Sequence, residues 1–203
     1  MGIRRTLIIL GGGAMLLLAG CAHGPRAYVG PPLAGEWHVA ILPLTNLTRD
    51  ADASNRLAPM LAVELARRPH VHVVDAGKVD EALAREPWIL LDRVPPDLVD
   101  AFGTSMGADA LLVGSVMAFG YREDQGERIP QVSIALRLLQ TPGSKVLWSA
   151  VHNRDGADGE SVFGLGRQSD LEKLAEETVR EVLSTLPGFP GGTSPGDASP
   201  AGK

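Results

Sequence analysis

Across 203 residues the chain has one cysteine, so no disulfide can form within it. Aromatic residues make up only 4%, which leaves few large anchors for a core or an interface and makes each of them worth placing. No run of lysines or arginines interleaves with aromatics, and the longest basic cluster is Arg67-Arg68. With a net charge of −5, nucleic acid is a poor candidate partner. Gly103-Thr-Ser-Met-Gly107 has the letters Gly-x-Ser-x-Gly, but it falls at the end of an expected helix and lacks the strand-to-helix turn of a hydrolase elbow. No dinucleotide fingerprint or phosphate loop occurs, and the sequence is read as that of a non-enzyme. No apolar run approaches the roughly 20 residues that a helix needs to cross a bilayer.

What is present begins at the amino terminus. Arg4 and Arg5 precede an uncharged apolar stretch from Leu7 to Ala19, and the stretch closes in Leu18-Ala19-Gly20-Cys21. This is the pattern of a signal peptide with a lipobox, cleaved between Gly20 and Cys21. Small residues beside the scissile bond fit a peptidase groove, and the Cys21 thiol takes a diacylglyceryl thioether, followed by an N-acyl chain such as palmitate. Three acyl chains exceed what stable anchoring needs. Ala22 follows Cys21, and without an aspartate there as a retention signal the expected destination is the periplasmic face of the outer membrane. No other cofactor is expected. Cleavage removes two of the 19 basic residues and none of the 24 acidic ones, so the mature chain carries a net charge of −7.

The expected organisation is a signal peptide over 1–20, the lipidated cysteine with a flexible Pro/Gly-rich tether over 21–35, one globular domain over 36–186, and a disordered Gly/Pro/Ser-rich tail over 187–203. Within the domain, Trp37 to Leu42 reads as a buried strand. Leu57, Leu61 and Leu65 recur at helical spacing in a helix over 54–68, with Asp52 or Ser54 as cap, and Val71 to Val74 is a second strand. Asp75 opens a helix through Arg85, and Pro95-Pro96 opens another that ends before Gly107. The near-continuous apolar stretch Ala108–Phe119 is a central strand. In Val132–Leu138 the residues Val132, Ile134, Leu136 and Leu138 alternate with Ser133, Ala135 and Arg137, as in an antiparallel strand with one face buried. A turn at Thr141-Pro-Gly-Ser-Lys leads into a return strand with Val146, Trp148 and Ala150 on one side, and a helix spans 170–186. The order βαβααβββα predicts an α/β domain, a mixed sheet in two or three layers with flanking helices.

Four stretches carry a resemblance: Val39-Ala-Ile-Leu-Pro-Leu-Thr-Asn-Leu, Leu57 to Val74, Gly107-Ala-Asp-Ala-Leu-Leu-Val-Gly-Ser-Val, and the hairpin from Val132 to Ser149 with its Thr-x-Gly-x-x-Leu-Trp-Ser turn. In order and spacing they resemble periplasmic lipoprotein domains related to the curli-secretion component CsgG, the TolB amino-terminal domain and the penicillin-binding-protein activator LpoB. The resemblance implies a domain that binds other envelope proteins, in outer-membrane assembly and secretion or in activation of peptidoglycan synthesis, and it brings no catalytic residues. The alternative is a subunit of a homo-oligomeric CsgG-like secretion ring or channel. Against a barrel-forming pore stands the stretch between Phe119 and Gln131, which is short and charged where a membrane-crossing hairpin needs about 20 residues of alternating apolar character.

Two further groups of residues are candidates. Trp88, with Ile89 and Leu90, lies between two helical segments and is either an apolar patch for a partner or a plug over the sheet. His70 and His72 flank Val71 and point to one side of a strand, but two histidines fall short of a zinc ligand set, and a solvated strand edge is the expectation. Asp50 and Asp52 read as helix-start chemistry, Arg67-Arg68 as the positive end of the first long helix, and Trp148 as core.

Overall fold

The structure is a computed structural model and describes residues 24–31, 35–85, 96–158 and 167–188. Cys21, Gly20, Trp88, Ile89 and Leu90 lie outside these residues, as does the tail from 189. Eleven elements follow one another: β1 (Arg26–Val29), β2 (Trp37–Ile41), β3 (Thr45–Asn46), α1 (Ala53–Ala66), β4 (Val71–Val73), α2 (Ala76–Arg85), α3 (Pro96–Met106), β5 (Ala110–Asp124), β6 (Glu127–Gln140), β7 (Val146–Asp155) and α4 (Leu171–Ser184). Every strand and helix expected from the sequence is there. β1 and β3 were not expected.

All seven strands belong to one mixed sheet in the order β1-β7-β6-β5-β2-β4, with β3 paired to β5 beyond the end of β2. Parallel pairing is confined to β2 with β4 and to β2 and β3 with β5, and the β5-β6-β7-β1 half is antiparallel. The apolar stripes of α1 and α4 supply Leu57, Leu61, Leu65, Leu174, Val179, Val182 and Leu183 to a core on one face of the sheet. On the other face α2 and α3 bring Val79, Ala82, Val99 and Phe102 against Ala40, Leu111 and Val113. The domain is therefore three-layered around β2 and β5. Trp148 is fully buried, as expected, and its indole N–H donates to Thr185 Oγ1 at 3.1 Å. Val146 is a correction: a register shift between Leu138 and Leu139 breaks the alternation, so Val146 packs toward α3 while Trp148 and Ala150 pack under α4.

Three local expectations change. Arg26–Val29, read as tether, forms an edge strand on β7, with Arg26 opposite Val151 and Tyr28 opposite Ser149. The charged stretch after Phe119 is the outer half of the β5–β6 hairpin, and it closes in a turn at Gln125 (φ 50°) and Gly126 (φ 86°). Both φ values are positive, as a two-residue hairpin turn requires. Arg68 does not close its own helix: it reaches across to α4, donating from Nη1 to the Leu186 carbonyl at 3.3 Å and from Nη2 to that of Leu183. The Leu183 carbonyl, which also accepts from Leu186 N at 2.9 Å, thus gains a second donor from a side chain 115 residues away in sequence. Arg67 instead pairs with Glu64 at 2.6 Å. α4 starts as predicted, with Asp170 Oδ1 accepting from the N–H groups of Glu172 (2.9 Å) and Lys173 (3.2 Å).

Candidate functional site

The chain between β3 and α1 is short, polar and held in one shape. Asn46 Nδ2 donates to the carbonyls of Asp50 (2.7 Å) and Ala51 (3.2 Å), and its Oδ1 accepts from Thr48 N at 3.0 Å. Asp50 Oδ1 accepts from Asp52 N at 2.9 Å, and Leu47 N bonds to the Val116 carbonyl at 2.9 Å. The expected helix-start role thus falls to Asp50. Asp52 occupies the cap position without a side-chain bond. The loop is ordered, yet it turns Leu47 outward, 59% exposed.

Beside it, β5 has a bulge between Val116 and Ala118. A bulge adds one residue to one strand and re-aims a side chain, and here Met117 is 38% exposed. Arg56, in the second turn of α1, closes the floor. Its guanidinium sits 4.8 Å over the Phe119 ring, pairs with Asp50 Oδ2 at 3.2 Å, and also pairs with Glu172 at the start of α4. Loop, bulge and the first turn of α4 enclose an open cleft of about 780 Å³, whose rim includes Leu47, Arg49, Met117, Tyr121 and Gln131. Tyr121 is 43% exposed and lies under the Arg128 guanidinium at 4.5 Å.

Beyond the cleft the hairpin is fastened by Arg122, which bonds Asp155 at 2.6 Å and Asp124 at 2.8 Å. Burial pushes the Asp155 carboxyl up, but the bonds it accepts from Arg122 and from Ala157 N outweigh this and hold it below the usual carboxylate range. Among the described residues of the cleft no nucleophile is paired with a base. On the cleft floor Arg56 is engaged with Asp50 and Glu172, and the rim sets the exposed Leu47 and Met117 among polar groups that include Arg49 and Gln131, an arrangement suited to holding a partner's side chains.

A second cluster gathers the histidines. His70 adopts φ 64° in the turn before β4 and His72 lies within β4. Both reach Glu36, His70 Nδ1 at 2.7 Å and His72 Nε2 at 2.8 Å. The two bonds, that from His70 first, hold the Glu36 carboxyl below its ordinary range. His38 stacks on His72 with ring centroids 5.2 Å apart, and its Nδ1 lies 3.1 Å from Asp109. Sequence reasoning missed Glu36, although its place one residue before Trp37, which pairs with Val71, sets it opposite His70. Among the described residues no group of three or more His, Cys, Asp or Glu is arranged to hold a metal ion. The histidines instead tie the sheet edge to the start of β2.

No family model matches the sequence, and no curated protein matches it significantly. The fold does have solved counterparts. The PelC dodecamer from Paraburkholderia phytofirmans superposes with a TM-score of 0.57 at 22% identity, covering 81% of this chain and 98% of that one. Lipoprotein GNA1162 from Neisseria meningitidis matches with a TM-score of 0.52 at 21% identity over 64% of this chain and 90% of its own. The hypothetical protein CT253 from Chlamydia trachomatis matches at 0.51 with 10% identity, over 74% and 95%. The domain thus has a mixed α/β fold that is also found in a bacterial lipoprotein and in a protein that forms dodecamers.

Proposed function

We propose that this chain is a non-catalytic envelope lipoprotein, cleaved before Cys21, acylated there and held at the periplasmic face of the outer membrane, whose domain binds other envelope proteins in outer-membrane assembly and secretion or in activation of peptidoglycan synthesis. The observation that supports it most is the ordered exposure of two apolar side chains on the rim of the cleft. Leu47 and Met117 are presented by a hydrogen-bonded loop and a strand bulge that leave them exposed. Holding apolar side chains in water costs free energy that a partner recovers by covering them. The lipobox and the fold shared with lipoprotein GNA1162 support the envelope placement. A photo-crosslinking residue placed at Leu47 or Met117 in cells is expected to give a discrete protein adduct that the same residue at Lys173 on α4 does not. Membrane-bound protein that yields no adduct from either rim position would overturn the binding-module reading.

The likeness to the PelC dodecamer favours a second reading, a subunit of a homo-oligomeric secretion ring. Light scattering of the mature chain separates the two. A particle of many protomers supports the ring, whereas a monomer that crosslinks to a different protein supports the binding module.

A further inference from the structure

Strand β1 begins five residues after Cys21, a stretch that spans at most about 18 Å when fully extended. If Cys21 carries the lipid, the part of the domain nearest the bilayer is β1 and its neighbour β7. The two faces of the sheet differ there. Under α4 the neighbours of the edge are acidic, with Glu172, Glu176, Glu177 and Glu181 all on that helix. The opposite face carries rows that run across the strands in register, Tyr28–Ser149–Arg137 and Arg26–Val151–Ala135. Tyr28 and Val151 are 55% and 48% exposed, and Arg26 and Arg137 are exposed as well.

In a mature chain with net charge −7, residues 22–35 and 144–153 contain no acid. Neither Arg26 nor Arg137 is ion-paired among the described residues, while Arg56, Arg122 and Arg154 are. Along β7 the first carboxylate is Asp155, which is already held by Arg122, and Asp100 of α3 is bonded to Gly143 N at the β6–β7 turn. Unpaired arginines beside an exposed tyrosine and valine have the chemistry of a surface that meets a phospholipid interface, where cations meet phosphate and an aromatic ring sits at headgroup depth.

We infer that the exposed part of the β6–β7–β1 face, Arg26, Tyr28, Arg137 and Val151, lies on the phospholipid headgroups of the membrane that holds the lipid anchor. The contact stays at headgroup level. The open edge of β1 carries backbone N–H and C=O groups that need water or another polar partner, and these cannot enter hydrocarbon. Docking this face turns the other face, with α1, α4 and the acidic side chains, toward the periplasm. The inference rests on the lipoprotein reading, and the test separates the two.

The sulfur of Cys21 is consumed by the thioether, so lipidated full-length protein carrying Val151→Cys or Lys173→Cys has one free thiol for a nitroxide label. After reconstitution into mixed phosphatidylethanolamine–phosphatidylglycerol vesicles, flotation reports attachment, and collision with a water-soluble nickel chelate reports exposure. The label at position 151 is expected to lose most of its nickel collisions on reconstitution, and the label at 173 to keep them. Adding Arg26→Glu and Arg137→Glu restores access at 151, since each lost cation lowers the docking equilibrium constant about fivefold. Protein that floats with both labels equally accessible hangs free of the surface and overturns the docking alone. Protein that does not float overturns the anchor and the docking together. A label at 151 already shielded in detergent means that a second copy covers this face, which also overturns the inference.

Discussion

Replacing Glu181 by glutamine tests the charge network that fixes α4 to the sheet. Glu181 Oε2 lies 2.6 Å from Nε2 of His152, whose side chain is 1% exposed, and Oε1 pairs with Arg154, which is 17% exposed. The two remaining acids near Arg154, Glu177 at 3.6 Å and Asp158 at 3.7 Å, are too distant to replace it fully. A buried hydrogen bond to a charged group contributes about 1.5–3 kcal/mol. Glu181 itself is 40% exposed, so solvent screening removes about half of that, and Glu181→Gln at neutral pH should cost about 1 kcal/mol, or about 3 °C in Tm.

The pH dependence has a defined sign. Burial pushes the Glu181 carboxyl up, but the bonds from Arg154 and His152 outweigh it, and its folded value is lowered. The stability it contributes is therefore fully present above the ordinary carboxylate value of about 4.3 and is lost as pH falls through the lower folded value. Urea unfolding of both proteins, followed by the fluorescence of buried Trp148, should show a gap in midpoint at pH 7 that closes below about pH 4. Equal midpoints at pH 7, or a gap that widens on acidification, would refute the reasoning.

Leu61→Ala, at a fully buried position of α1, should destabilise the domain by about 3 kcal/mol in the same urea assay, because the cavity lies between α1, α4 and the sheet. Gly103→Ala places a Cβ 2.4 Å from the Thr141 side chain, so α3 must shift. The expected cost is about 2 kcal/mol, seen as a lower Tm, against a gain in helix propensity of under about 1 kcal/mol. Arg68→Ala removes the side-chain donor to the Leu186 carbonyl and the second donor to that of Leu183, which keeps its bond from Leu186 N. It should cost about 1–2 kcal/mol and speed hydrogen exchange at the end of α4 more than at its start. Cys21→Ala should leave the protein uncleaved or soluble, and a processed, membrane-bound variant in cell fractionation would sink the anchor.

Much of the fold was legible because the signals are local. In α1 the spacing of Leu57, Leu61 and Leu65 makes one apolar stripe, and all three are 0% exposed. In β6 the strict alternation from Val132 to Leu138 separates a buried set at 1% exposure or less from Arg137 on the other face. The cleft was not legible. It is assembled from Leu47, from Met117 and Tyr121 of β5, and from Glu172, three places that the chain keeps far apart, and no single stretch shows that a loop, a bulge and a helix start will meet.

What the sequence alone determined are features whose cause lies within a few residues: the lipobox pattern, the amphipathic periods of α1 and α4, the cap at Asp170 and the alternation of β6. Tertiary structure decided what is held by backbone pairing or by a distant side chain. Arg26–Val29 is exposed along its whole length, so it buries nothing that a periodic pattern could reveal, and it is a strand because β7 offers an unpaired backbone edge. The outer β5–β6 hairpin is charged, yet it extends to Asp124 because each residue there finds a ladder partner. Arg68 reads as the end of its own helix and serves as the cap of another. Side-chain periodicity records burial, and these elements are held by backbone pairing and long-range hydrogen bonds, which leave no periodic trace along the chain.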